Sequence, residues 1–154
     1  MKSFNNIHFK GNFRDYQQRV LDNADKYLKD GKINIVAAPG SGKTVLGLEL
    51  IRRLASPCII LSPTTAIRQQ WGERFKDLFL DNAEDFPALF SNDLHNITLI
   101  NSITYQALYT AIDKISTTED EDINCADVDI FAAMKEFGIK PKFPKIQPTI
   151  MMKY

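Results

Sequence analysis

Ile33-Asn34-Ile35-Val36-Ala37-Ala38-Pro39-Gly40-Ser41-Gly42-Lys43-Thr44 joins a short apolar run to a glycine-rich turn and then to a Gly-Lys-Thr junction. Residues 33–37 read as a buried strand, residues 39–42 as a turn-rich loop, and residues 44–54 as a helix with Leu46, Leu50, Ile51 and Leu54 on one stripe. The backbone must turn sharply between strand and helix. Gly40 and Gly42 allow angles and a close approach that a β-carbon would block. Loop N–H groups then face inward, and the helix adds the positive end of its dipole, which makes a cradle for phosphate. Pro39, Gly40, Ser41, Gly42, Lys43 and Thr44 are its expected lining. Lys43 is placed to reach the β- and γ-phosphates, and Thr44 offers a hydroxyl to Mg²⁺, which makes this pair the candidate catalytic residues. A strict phosphate-loop pattern begins with Gly, whereas this one begins with Ala37. The chemistry points to a nucleoside triphosphate, with ATP and Mg²⁺ as the expected cofactors.

Outward from the loop, the pattern alternates. Residues 14–29 have helical spacing, and Gly31 stops the run. Residues 58–61 form a second apolar strand, introduced by Ser56-Pro57. Residues 66–79 form an amphipathic helix with Ile67, Trp71, Phe75, Leu78 and Phe79 inward. Residues 80–96 read as a loop, 97–100 as a third strand and 103–112 as a helix. Strands alternating with helices predict an α/β fold, a parallel sheet flanked by helices. Beyond residue 113 the character changes. Residues 116–122 are polar and end in an acidic run, 128–137 have one more helical face, and the tail contains Pro141, Pro144 and Pro148. Proline has no N–H for a ladder, so the tail is not expected to supply a central strand.

The 154 residues suit one domain with a real core, and 44% hydrophobic and 25% charged residues are ordinary for a soluble protein. No stretch approaches the length of a membrane span, and no secretory leader pattern is present, so a cytoplasmic protein without a membrane partner is expected. Cys58 and Cys125 are far apart and suit a reducing compartment; Cys58 reads as a small core residue. The net charge of zero hides an asymmetry. Residues 1–76 hold 13 Lys/Arg against 6 Asp/Glu, while residues 77–136 hold 2 against 13. The basic part suits an anionic ligand, though solvated surface explains much of such patterning. His8 and His95 are isolated and make no metal-ligand pattern.

Ala37, Gly40, Gly42, Lys43 and Thr44 are spaced as in the phosphate loop of superfamily two helicases, and other segments follow in that family's order. Phe13-Arg14-Asp15-Tyr16-Gln17 resembles the family's upstream motif, whose Gln reads the adenine edge. The resemblance makes Gln17 the ATP-selecting residue, with Arg14 beside the nucleotide. A carboxamide can pair with adenine N6 and N7 through one acceptor and one donor. Leu61-Ser62-Pro63-Thr64-Thr65-Ala66-Ile67-Arg68-Gln69-Gln70-Trp71 resembles motif Ia, which touches the nucleic-acid backbone. Pro63, Thr64 and Arg68 are its implied contacts, although Thr64 is equally suited to cap a core helix. Trp71 falls on the apolar stripe and is assigned to the core. Asn101-Ser102-Ile103-Thr104-Tyr105-Gln106 resembles a later segment on the same track, which implies Thr104 and Gln106 as phosphate contacts. The whole is similar to the first motor domain, RecA-like in fold, of the type III restriction and DEAH-like branch.

The resemblance covers about residues 12–113, so the motor part is placed at residues 1–113 and the remainder at 114–154. The family's next strand ends in an Asp-Glu-x-His motif that holds Mg²⁺ and orients water, and no such run occurs here. Asp127-Val128-Asp129 has no apolar strand before it. An incomplete RecA-like sheet is therefore expected, binding nucleotide with little turnover. It would be marginally stable unless the tail or a partner covers its open edge. Nucleic acid, DNA ahead of RNA, and the rest of such a motor are the expected partners. A different P-loop enzyme, such as a small-molecule or nucleotide kinase, and a non-enzymatic remnant are the alternatives. A GTPase is disfavoured because no Asn-Lys-x-Asp run occurs.

Overall fold

The computed structural model describes residues 3–29, 31–117 and 149–153. The expected helix at residues 128–137 and the acidic run ending at Asp122 lie outside them. The elements run α1 (Asp15–Asp22), α2 (Ala24–Tyr27), β1 (Lys32–Val36), α3 (Lys43–Leu54), β2 (Cys58–Ser62), α4 (Thr65–Phe79), α5 (Phe86–Leu89), β3 (Phe90–Ser91), β4 (Ile100–Thr104), α6 (Tyr105–Thr117) and β5 (Thr149–Lys153). Every pairing between these strands is parallel, which is the α/β arrangement expected of part of a RecA-like P-loop domain. The described strands fall into two sheets rather than one, β1-β5 and β2-β4-β3. Among the described residues no helix is long and apolar enough to cross a membrane.

Two hydrophobic clusters hold the elements together, and α3 belongs to both. Its Leu46 and Leu50 pack with Leu21, Ala24, Ile33 and Ile35, while its Leu48 and Ile51 join a larger cluster with Trp71, Phe75, Phe79, Phe90 and Ile100. A helix apolar on two sides must sit between packed layers, so the P-loop that precedes α3 is anchored in the interior. Trp71 is a core residue, as its place on the stripe predicts. Glu49 of α3 is also buried; Arg52 and Arg53 close on its carboxylate at 2.8 Å each. Burial pushes that carboxyl up, but the hydrogen bonds and charges of the two guanidiniums outweigh it and hold the pKa below its ordinary value.

Several boundaries differ from the sequence expectation, each for a physical reason. The strand placed at residues 97–100 is β4, Ile100–Thr104. Its Asn101 and Ser102 are polar but buried, which hydrophobic periodicity does not anticipate. Hydrogen bonds compensate: the Asn101 amide donates to the Asp93 and Asn96 carbonyls, its oxygen accepts from the Thr98 N–H at 3.0 Å, and Ser102 Oγ donates to the Arg68 carbonyl. Residues 80–96 are not all loop, because Phe90 and Ser91 pair with Ile100 and Asn101 as β3. The stretch read as continuous helix over 14–29 is divided at Asn23, the junction of α1 and α2. Strand β1 buries Ile33 and Ile35 but exposes Asn34 and Val36, so it is covered on one face and not on both.

The tail supplies a strand, but not a central one: among the described residues β1 and β5 are the two members of their sheet. Strand β5 lies parallel to β1 from the Lys32–Thr149 pair to the Val36–Lys153 pair. It begins directly after Pro148 and contains no proline itself, so its amides are free to enter the ladder. The tail thus covers one edge of β1.

Candidate functional site

The chain leaves β1 at Val36, and α3 begins at Lys43. Between them the Ser41 N–H closes a turn onto the Ala38 carbonyl at 3.2 Å. Gly40 has φ +73° and Gly42 φ +91°, a region that L side chains rarely adopt. The two glycines serve different ends. A β-carbon on Gly40 would meet nothing within 4 Å, so open space lies over the loop there; on Gly42 it would press on Gln17 Nε2 at 2.7 Å. The first N–H groups of α3 have no intrahelical acceptor, and the helix dipole adds partial positive charge at that end.

Three successive loop carbonyls are engaged by side chains from the N-terminal turn of α1. Arg14 Nη1 donates to the Gly40 carbonyl at 3.0 Å, the Tyr16 hydroxyl to Ser41 at 2.8 Å, and Gln17 Nε2 to Gly42 at 2.9 Å. Gln17 Oε1 in turn accepts the Arg14 backbone N–H at 2.8 Å, so one buried carboxamide ties the start of α1 to the start of α3. Oxygen atoms that would repel an anion are thereby occupied. Lys43 is buried, and its ammonium donates to the Ala37 and Ala38 carbonyls at 2.6 and 3.0 Å. Among the described residues no carboxylate neutralises it. A buried cation with only neutral acceptors favours an arriving anion. Ser41 Oγ is buried with no hydrogen-bond partner, one more polar atom that a phosphate oxygen would satisfy.

A cavity of about 360 Å³ opens on this loop, lined by residues 39–45 with Arg14, Gln70 and Arg74. Among the described residues three cations and no carboxylate face it, which fits a polyanionic tail. Thr44, buried at the wall, supplies a hydroxyl of the kind a phosphate-bound Mg²⁺ takes. Of the residues singled out for nucleotide, Arg14 and residues 39–44 come together around this cavity. Gln17 does not line it and lies behind the loop, 3% exposed. Gln70 and Arg74 were not legible in the sequence, because they read as the solvated side of an amphipathic helix. Tyr16, a further tie to the loop, was part of the upstream motif but carried no assigned role.

The second group of candidates lies where β2 and β4 end. These strands pair in parallel with Ser62 opposite Thr104, so the segments that leave them start side by side. Ligands of open α/β sheets bind outside such carboxyl ends. Thr64, exposed, caps α4 by accepting the Ile67 N–H at 3.2 Å, and Thr104 does the same for α6 through the Ala107 N–H at 3.1 Å. Each hydroxyl retains its own hydrogen to donate. Pro63 and Gln106 are exposed, and Arg68 is half-buried with its Nε lacking a partner. Cys58 starts β2 beside the larger core, and burial pushes its thiol up to about 12.

A family described as type III restriction enzyme, res subunit, matches residues 10–130. UvrABC system protein B of Leptospira biflexa is 35% identical over 72 residues, which are 46% of this chain and 11% of that protein. The same protein of Thermus thermophilus is 29% identical over 72 residues, with 46% and 11% covered. The DNA 3'-5' translocase XPB2 of Sulfurisphaera tokodaii is 28% identical over 103 residues, 66% of this chain and 22% of the relative. The chain therefore spans between a tenth and a quarter of the length of these relatives.

Proposed function

This chain belongs to the type III restriction enzyme res-subunit family, among the ATP-binding domains of superfamily two helicases, and from that membership we propose that it binds MgATP at residues 39–44 as the nucleotide-binding part of a DNA-dependent motor. The observation that carries the proposal is the cavity over the loop, with three cations and no carboxylate among the described residues, a helix N-terminus and an orphaned Ser41 hydroxyl. Lys43 and the loop amides hold the phosphates, and Thr44 gives its hydroxyl to Mg²⁺. Gln17 is the adenine reader that the family's upstream motif implies, with Arg14 beside it; its carboxamide is bonded to the Gly42 carbonyl and the Arg14 N–H here, so reading the base requires it to be uncovered when nucleotide binds. No Asp-Glu-x-His run occurs in the chain, so it turns ATP over slowly on its own. Pro63, Thr64, Arg68, Thr104 and Gln106 form the contact line for a nucleic-acid backbone. The relative named a DNA translocase supports DNA as the polymer.

Calorimetric titration with MgATP tests the site. Lys43→Ala is expected to weaken binding by about 100-fold, roughly 2.7 kcal/mol. A variant that binds as tightly as the parent would overturn the loop assignment, and equal affinity for GTP would remove Gln17 as the adenine reader. For the polymer, DNA binding should fall with salt along a log–log slope of about −2 to −3, as three backbone contacts require. A flat response sinks the contact line.

A further inference from the structure

We propose that Arg74 contacts the terminal phosphate of the bound nucleotide and makes the cavity prefer a triphosphate to a diphosphate. The inference rests on the nucleotide-binding reading above and adds to it a residue from outside every segment that suggested it. Of the three cations on the cavity wall, two already have acceptors within the protein. Arg14 is bonded to the Gly40 carbonyl at 3.0 Å, and Lys43 to Ala37 and Ala38 at 2.6 and 3.0 Å. Arg74 makes no hydrogen bond or ion pair among the described residues, and it is exposed to the cavity's solvent.

The backbone that carries it is nonetheless fixed. Arg74 lies between Trp71 and Phe75 on α4, and both are buried in the larger core, at 5% and 1% exposure. A guanidinium on a rigid helix loses less freedom on binding than one on a loop. Gln70, one turn earlier on the same face, lines the cavity as a second polar group. Loop amides and Lys43 belong to the β1–α3 connection, so they surround the part of a phosphate chain seated in the loop. Arg74 comes from a different element on the same cavity. Lys43 and the loop amides take oxygens on the loop side of the phosphate chain, and Arg74, from another wall of the same cavity, takes an oxygen of the terminal phosphate that they leave open. A planar guanidinium suits two phosphate oxygens at once, which an ammonium does not.

The test is calorimetric titration of the full chain with MgATP and with MgADP, for the parent, Arg74→Ala and Arg74→Lys. Losing a charge-assisted contact predicts about tenfold weaker MgATP binding in Arg74→Ala. MgADP binding should change less than about twofold, and Arg74→Lys should fall between parent and Ala, because it keeps the charge and loses the fork. Equal losses for the two nucleotides, or none, overturn the proposal and leave the P-loop reading standing. Failure of the parent chain to bind either nucleotide overturns both. If Arg74→Ala does not fold, Arg74→Lys decides by the same comparison of MgATP with MgADP.

Discussion

The region around β1 and the region around β2-β4-β3 are held by different forces. The buried members of the first cluster are Leu21, Ala24, Ile33, Ile35, Leu46 and Leu50, none of them aromatic. The glycine loop of its candidate site is fixed by directional bonds from Arg14, Tyr16, Gln17 and Lys43 to loop carbonyls. The second region is dense with rings: Phe75 lies 5.5 Å from Phe90 and 6.3 Å from both Phe79 and Phe86. A buried aromatic side chain contributes about 1.5–3 kcal/mol or more, whereas a typical internal hydrogen bond nets about 0.5–1.5 kcal/mol. The two regions divide the labour. The aromatic platform stores stability, and the loop region uses little energy to impose a specific geometry.

The largest effect should come from breaking the platform. Phe75→Ala, at a site 1% exposed and in contact with three other rings, should destabilise the chain by about 3–5 kcal/mol in urea unfolding. A cost below about 1 kcal/mol would mean that stability is not concentrated there. The loop side should respond differently. Gln17→Ala removes the link between the Gly42 carbonyl and the Arg14 N–H, and leaving buried groups unpaired costs about 1–3 kcal/mol. Because the lost bonds shape the cradle, its MgATP affinity should fall by about tenfold, whereas Phe75→Ala should leave the affinity of its folded fraction unchanged. If the two variants lose affinity alike, the two regions are not separable.

The smallest effect tests the helix that joins them. Glu49 of α3 is gripped by Arg52 and Arg53, and Arg53 Nη1 also reaches the Leu21 carbonyl at 3.4 Å. Glu49→Gln should cost about 1 kcal/mol at neutral pH, a modest figure because both arginines are about a third exposed. The carboxyl's folded pKa lies below its ordinary 4.5. Its contribution is therefore complete above that value and disappears as pH falls through the folded pKa. Unfolding curves at pH 7 and pH 3 should show the gap between parent and variant closing in acid. A gap that persists or widens would show that the ion pairs are not its source.

Much of the site was legible because its physics is local. A strand, two glycines at positive φ and a Lys-Thr helix start sit within a dozen consecutive residues, and no distant contact is needed to recognise them. The inward residues Trp71, Phe75 and Phe79 were legible for the same reason, since a helix repeats its faces within a turn or two. The β4 boundary was not legible, because Asn101 and Ser102 look like loop residues until their partners at Asp93, Asn96 and Arg68 are known. Strand β3 was missed because two residues are too few to show a period.

By itself, the order of residues determined that this chain would alternate strands with helices and turn a glycine loop between Ala37 and Thr44, since both depend on neighbours in the chain. Only the tertiary structure decided that α1 side chains occupy the loop carbonyls, that β5 joins β1 across more than a hundred intervening positions, and that Gln70 and Arg74 face the cavity. Those outcomes depend on which surfaces meet when the two clusters pack against α3. That choice is made by the summed burial of many side chains and is written in no single segment.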